Sequence, residues 1–212
     1  MFKTKAGFAA LLTLAAGGCA SDGDVTDQGV VVTRSACPAA AIPAGTGDVT
    51  LFNPANSRDA SAIDVVAHVT NVRATCGESG AYVVSSVTFD VQAQRRDAGG
   101  ARQVILPYFA TVVQGGTNVV SKSVSRVGLN FADGQLRTST TATAQAQVLR
   151  SAATLPENVR RFINQPREAG EASAAVDPMS DPGVRAAVAR ATFEVLVGFQ
   201  LTQDQLQYNV TR

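Results

Sequence analysis

Between residues 48 and 149 the chain alternates β-rich runs with breaks of Gly, Pro, Asn and Asp, and this rhythm limits the possible folds more than any other feature. The runs are 48–52, 61–74, 82–94, 102–113, 118–129 and 135–149. Between them lie Asn53-Pro54-Ala55-Asn56-Ser57, Gly77-Glu78-Ser79-Gly80, Asp97-Ala98-Gly99-Gly100, Gly115-Gly116 and Ala132-Asp133-Gly134. Gly, Asn and Asp tolerate the positive φ that tight hairpins require. The spacing therefore predicts six antiparallel strands in sequence. In the third run Val83, Ser85, Val87, Phe89, Val91 and Ala93 share one face, predicted to be the core face, and Tyr82, Val84, Ser86, Thr88, Asp90 and Gln92 share the other. The last run presents Leu136, Thr138, Thr140, Ala142, Ala144, Ala146 and Val148 on one side, a face flat enough for close approach. Pro107 cannot donate to a ladder and predicts a sheet edge or a bulge in the fourth run.

After Arg150 the period changes. Thr154-Leu155-Pro156-Glu157 has the form of a capping box, followed by Val159, Phe162 and Ile163 on one helical face. Residues 166–181 hold Pro, Gly and acids without periodicity and read as a loop. Asp181-Pro182 then caps a helix whose stripe is Val184, Val188, Ala191, Val195 and Phe199, predicted to pack on the alanine face of the last strand. Thr202-Gln203-Asp204-Gln205 is a capping box for a short terminal helix, with Leu201 and Leu206 placed as a hydrophobic staple. The fold class that follows is mainly β with C-terminal helices (α+β): an antiparallel β-sandwich of about six strands with two or three helices packed on it.

The first residues follow a different logic. Lys3 and Lys5, the apolar run Phe8 to Ala16 and the small residues Gly17-Gly18 before Cys19 have the layout of a secretory signal. The apolar run is about half the roughly 20 residues that a membrane-spanning helix needs. Leu14-Ala15-Ala16-Gly17-Gly18-Cys19 resembles the lipobox of bacterial lipoproteins. That resemblance implies lipid on Cys19, and with Ala20 and Ser21 after it, rather than an aspartate, it implies the periplasmic face of the outer membrane; a conventional signal would instead release the domain to the periplasm. The expected organisation is a signal peptide over 1–18, a lipidated tether over 19–36, and one sandwich domain over 37–212 whose helical segment is 150–212. Residues 37–212 also resemble envelope lipoproteins of Gram-negative bacteria, a likeness that supplies no activity. In strand count and turn spacing the domain is similar to an immunoglobulin or fibronectin-like sandwich, without the tryptophan and disulfide of antibody domains.

Charge and chemistry narrow the function classes. Losing residues 1–18 removes Lys3 and Lys5 and no acid, leaving 16 basic against 17 acidic residues. Neither a basic patch nor an Arg/Lys cluster with aromatics appears, so nucleic acid is a poor partner. His68 is the sole histidine and falls on the polar side of its run with Asp64, Val66 and Thr70. No His, Cys, Asp and Glu set at ligand spacing surrounds it, no Gly-x-Ser-x-Gly elbow occurs, and the double glycines lack the context of a phosphate loop; no cofactor, metal or catalytic residue is therefore assigned. Arg95, Arg96 and Arg102 read as a solvated hairpin tip. Cys37 and Cys76 remain, and in an oxidising compartment such a pair is more often bridged than free. Opposed residues of a hairpin share one turning point, which for these two falls between Asn56 and Ser57, so outward extension of the first strand pair would bring them together. The alternative is two buried free thiols.

The reading that results is a lipid-anchored, non-enzymatic binding or assembly module of the cell envelope. Its partners are the membrane through Cys19 and another envelope protein, met through the edge at Pro107 or the stripe that begins at Val184. The alternatives are a periplasmic hydrolase built from distant acids such as Asp64, Asp90 and Glu194, and a structural part of a secretion or appendage system.

Overall fold

A computed structural model describes residues 23–26, 29–32, 35–165, 170 and 176–211. The chain divides into two units, 1–34 and 35–212. In the first, β1 (Gly23–Thr26) and β2 (Gly29–Val32) pair antiparallel, so the segment expected to be a tether carries a hairpin.

The second unit is built on period-2 alternation. β6 (Tyr82–Arg95) buries Val83, Val87, Phe89, Val91 and Ala93, the predicted inward set, together with Ser85. It lies between β5 (Ile63–Ser79) and β9 (Arg137–Leu149), with β4 (Asp48–Phe52) beyond β5, in the order β4-β5-β6-β9. β9 buries Ala142, Ala144, Ala146 and Val148, whereas Leu136 precedes the strand and is exposed. The hairpin between β5 and β6 turns at Gly80 and Ala81, later than the sequence suggested, with Ser79 opposite Tyr82 and Gly80 at φ 58°. A bulge interrupts β5 between Thr70 and Arg73, where Asn71 takes a φ of 54°.

The second sheet has the order β3-β10-β7-β8, from β3 (Ala39–Ala41), β10 (Phe193–Phe199), β7 (Arg102–Gln114) and β8 (Asn118–Phe131). All its pairs are antiparallel except β3 with β10. Val104, Leu106, Ala110, Val112, Leu129, Phe131, Val195, Val197 and Phe199 meet the first sheet in one core. Tyr108 stands edge-on to Phe89 at 5.3 Å and donates its hydroxyl to Thr143 O across the sandwich.

The six predicted strands are present, and β3 and β10 add two more. The largest correction concerns the helix begun at Asp181. Asp181 does cap it, accepting from Val184 N at 2.9 Å, but the helix, α3 (Pro182–Ala191), ends at Ala191. Val195 and Phe199 fit the helical stripe, but with Phe193 and Val197 they also alternate, and seven ladder positions against β7 decide for the strand. The helical segment expected over 150–212 is thus interrupted. Val184, Ala187, Val188 and Ala191 are buried and α3 packs against β7, not on the alanine face of β9. The capping box at Thr154 does not form: α1 (Arg150–Ala153) comes first, Thr154 donates its hydroxyl to Arg150 O, and α2 (Glu157–Ile163) starts after Pro156. The terminal box does form. Gln205 N donates to Thr202 Oγ1 and Thr202 N to Gln205 Oε1, opening α4 (Gln203–Thr211). Asn209 then donates to the carbonyls of Gly45 and Asp48, and Tyr208 packs edge-on against Phe52, so α4 contacts both ends of β4. Of the loop expected over 166–181, Pro178–Ser180 form a 3-10 turn, while 166–169 and 171–175 lie outside the described residues.

Candidate functional site

Cys19 lies outside the described residues, so its role rests on sequence. Cys37 and Cys76 are joined as a disulfide with their Cα atoms 5.9 Å apart. The route to that contact differs from the one the sequence suggested. Asp48 opposes His68 and Val49 opposes Ala67, which puts the turning point at Arg58. Cys37 does not extend that hairpin at all: it precedes β3, which joins the opposite sheet beside β10, while Cys76 lies on β5. The bridge therefore ties one sheet to the other. It closes a span of 39 residues, worth about 3–4 kcal/mol in the chain-entropy account.

His68 projects from the outer face of β5 and pairs through Nδ1 with Asp48 Oδ1. An open groove of about 460 Å³ lies beside it, lined by Gln92, Gln94, Gln135, Arg137 and Ser139 among others. Arg137 Nε donates to Gln94 Oε1 at 3.1 Å. An Asp–His pair beside a serine suggests a triad, but the register runs His68 to Gln92 to Ser139. Ser139 is two strand spacings from His68, about 9.5 Å between backbones, with the Gln92 side chain between them. The three acids that could have formed a hydrolytic centre do not converge. Asp64 takes both terminal nitrogens of Arg102, at 3.1 and 2.8 Å. Asp90 accepts from Asn71 Nδ2 at 2.7 Å and Thr141 Oγ1 at 2.9 Å; these bonds, with the charge of Arg73, hold its carboxyl below the usual range. Glu194 is on β10, in the other sheet. Among the described residues no three His, Cys, Asp or Glu side chains form a group that could hold a metal ion.

Arg95 corrects the reading of a solvated tip. It continues the inward alternation of β6 and is 4 % exposed. Its guanidinium donates Nε to Gln135 O at 2.6 Å, Nη1 to Gly100 O at 2.8 Å, and Nη2 to Gly99 O at 2.7 Å and Ala132 O at 3.1 Å, over the ring of Phe131. One cation thus closes that end of the sandwich by bonding two turns. Arg96 is exposed and Arg102 is paired with Asp64. The signal for Arg95 was in the sequence, as the seventh member of an alternating series beginning at Val83.

The expected contact surfaces also move. β7 is interior to its sheet, between β10 and β8. Pro107 is tolerated because β10 has ended: Phe199 opposes Tyr108, and Pro107 O accepts from Gln200 N on the side where a proline N–H would have pointed. The edge on that side of the sheet is β8. Its residues 118–126 are exposed on both faces, and Val119, Val120 and Val124 are 59, 50 and 56 % exposed. No family model, curated protein or solved structure matches this chain.

Proposed function

We propose that the chain is a lipid-anchored, non-enzymatic binding or assembly module of the bacterial cell envelope, held at the periplasmic face of the outer membrane. The observation that carries this reading is the sequence Leu14-Ala15-Ala16-Gly17-Gly18-Cys19 after a basic start and an apolar run. Lipidation needs the cysteine sulfur, and a single acyl chain holds a protein only marginally, so a multiply acylated cysteine is what firm attachment requires. Three arrangements in the domain support a binding rather than a catalytic role. The interior is filled by side chains from both sheets. The candidate acids are committed to Arg102, to Asn71 and Thr141, or to the opposite sheet. A strand edge, by contrast, is left uncovered among the described residues.

The test is fractionation of cells making the wild-type chain or Cys19→Ser. The wild type should sediment with membranes and be released by detergent, and the variant should accumulate as precursor or as soluble protein. Firm membrane attachment of Cys19→Ser would remove the anchor from this reading.

A further inference from the structure

We infer that the free edge of β8 receives an extended acidic segment of a partner protein, which adds as a strand beside Lys122, Val124 and Arg126. This deepens the binding-module reading by naming the contact, and it does not depend on the anchor.

The backbone argument comes first. Pro107 O accepts from Gln200 N and Gly115 N donates to Thr192 O, so the odd-numbered residues of β7 direct their polar groups toward the β10 side. The even-numbered ones, Val112, Ala110 and Tyr108, then bond to β8 at Ser121, Ser123 and Ser125, their register partners. By the same alternation Lys122, Val124 and Arg126 point their N–H and C=O away from β7. β8 ends its sheet, so in this exposed stretch these groups offer a ladder with no strand on it among the described residues. The bulge lies earlier, at Val120, and leaves the register of 121–131 regular.

The side chains specify the occupant. Lys122, Val124 and Arg126 share the outer face of β8, and Lys122 Nζ stands 5.0 Å over the ring of Phe109. The adjoining column of β7, Ile105, Pro107, Phe109 and Thr111, carries no charge, and β8 has no acid. An incoming strand therefore meets cation, valine, cation at alternate positions. Opposite charges across a strand pair are favourable and like charges opposed are not. A second copy of this edge fits poorly. Antiparallel pairing about Val124 sets Lys122 against Arg126 twice, and pairing about Ser123 leaves the cations as diagonal neighbours. An acidic segment with carboxylates flanking a β-branched residue meets every position with its complement, in the manner of strand addition.

The probe is the peptide Thr-Glu-Thr-Val-Thr-Glu-Thr, with a control in which both Glu are Lys, titrated to millimolar concentration into the isotope-labelled full-length chain and followed by amide chemical shifts. The acidic peptide should move the amides of Lys122, Val124 and Arg126 and bind at least tenfold more tightly than the basic one. Lys122→Glu with Arg126→Glu should invert that preference, and Val124→Pro, which deletes an outward N–H and no ladder bond, should abolish binding. Shifts on another surface, no shifts, or equal binding of the two peptides would overturn the inference without using any variant. Concentration-dependent shifts at these amides without peptide would overturn it in favour of a second copy. The titration is in solution, so its failure leaves the Cys19 fractionation result standing, and the reverse also holds.

Discussion

Residues 118–126 and 127–131 belong to one strand, with one alternation from Ser121 onward, yet they live in different environments. In the second stretch Val127, Leu129 and Phe131 are buried and Phe131 forms the floor under Arg95. In the first, every residue is exposed, and the inward positions are Ser121, Ser123 and Ser125. The strand reads as amphipathic only where the opposite sheet reaches it. Serines mark where that cover stops, and the valines of the uncovered half lie on the outer face or at the bulge, where they contribute nothing to the core. The lesson is that alternation assigns sides, whereas topology decides whether a side is covered. The same distinction explains why an exposed valine can belong to a contact edge while a buried arginine belongs to the scaffold.

The comparison breaks most severely at Arg95. Removing its guanidinium takes the donor from Gln135 O and Gly100 O, whereas Gly99 O still accepts from Gly134 N and Ala132 O from Gln135 N; each carbonyl left without a partner costs about 1–3 kcal/mol. Arg95→Met should destabilise by about 2–6 kcal/mol in urea unfolding. A loss below about 1 kcal/mol would show that water replaces the guanidinium and that this end is not closed in the sense described. A paired measurement sharpens the contrast along β8. Leu129→Ala, at a position with no exposure, should cost about 2–5 kcal/mol. Val124→Ala, five residues away, should fall within about 0.5 kcal/mol. Equal costs would mean that residues 118–126 pack against something and are not a free edge.

What the sequence revealed and what it concealed divide along the same line. The six runs between 48 and 149, the inward set of β6, the cap at Asp181 and the box at Thr202 were legible because each depends on neighbours within a few residues. β10 was misread because Val184, Val188, Ala191, Val195 and Phe199 satisfy a helical stripe, and only the ladder offered by β7 selects a strand for the second half. The meeting of Cys37 with Cys76 was expected through hairpin register, but it arises from the placement of β3 in the opposite sheet, information that no local pattern contains. Pro107 announced a missing N–H correctly, yet that missing donor is accommodated by the end of a neighbouring strand rather than by a sheet edge. Arg95 shows the converse error, in which residue type outweighed a position that the alternation had already assigned to the interior.

A smaller effect separates two kinds of exposed surface. On the outer face of the first sheet, Asn71 on β5 and Thr141 on β9 both donate to Asp90 on β6, so three strands are tied through one carboxylate. No acid performs that service on β8. These donors favour the ionised form and hold the Asp90 carboxyl below its ordinary value of 3.8. A carboxyl whose value is depressed in the folded state contributes stability that is fully present above the unfolded value and is lost as pH falls through the folded one. Asp90→Asn should therefore melt slightly below the wild type at neutral pH, and the gap should close as pH drops below 3.8. Thr141→Val, which deletes one donor, should show the same closing gap at smaller amplitude. A difference that stays constant from neutral pH into acid would mean that the two donors recognise the shape of the side chain rather than its charge, and that this face is held together no more firmly than the overhang of β8.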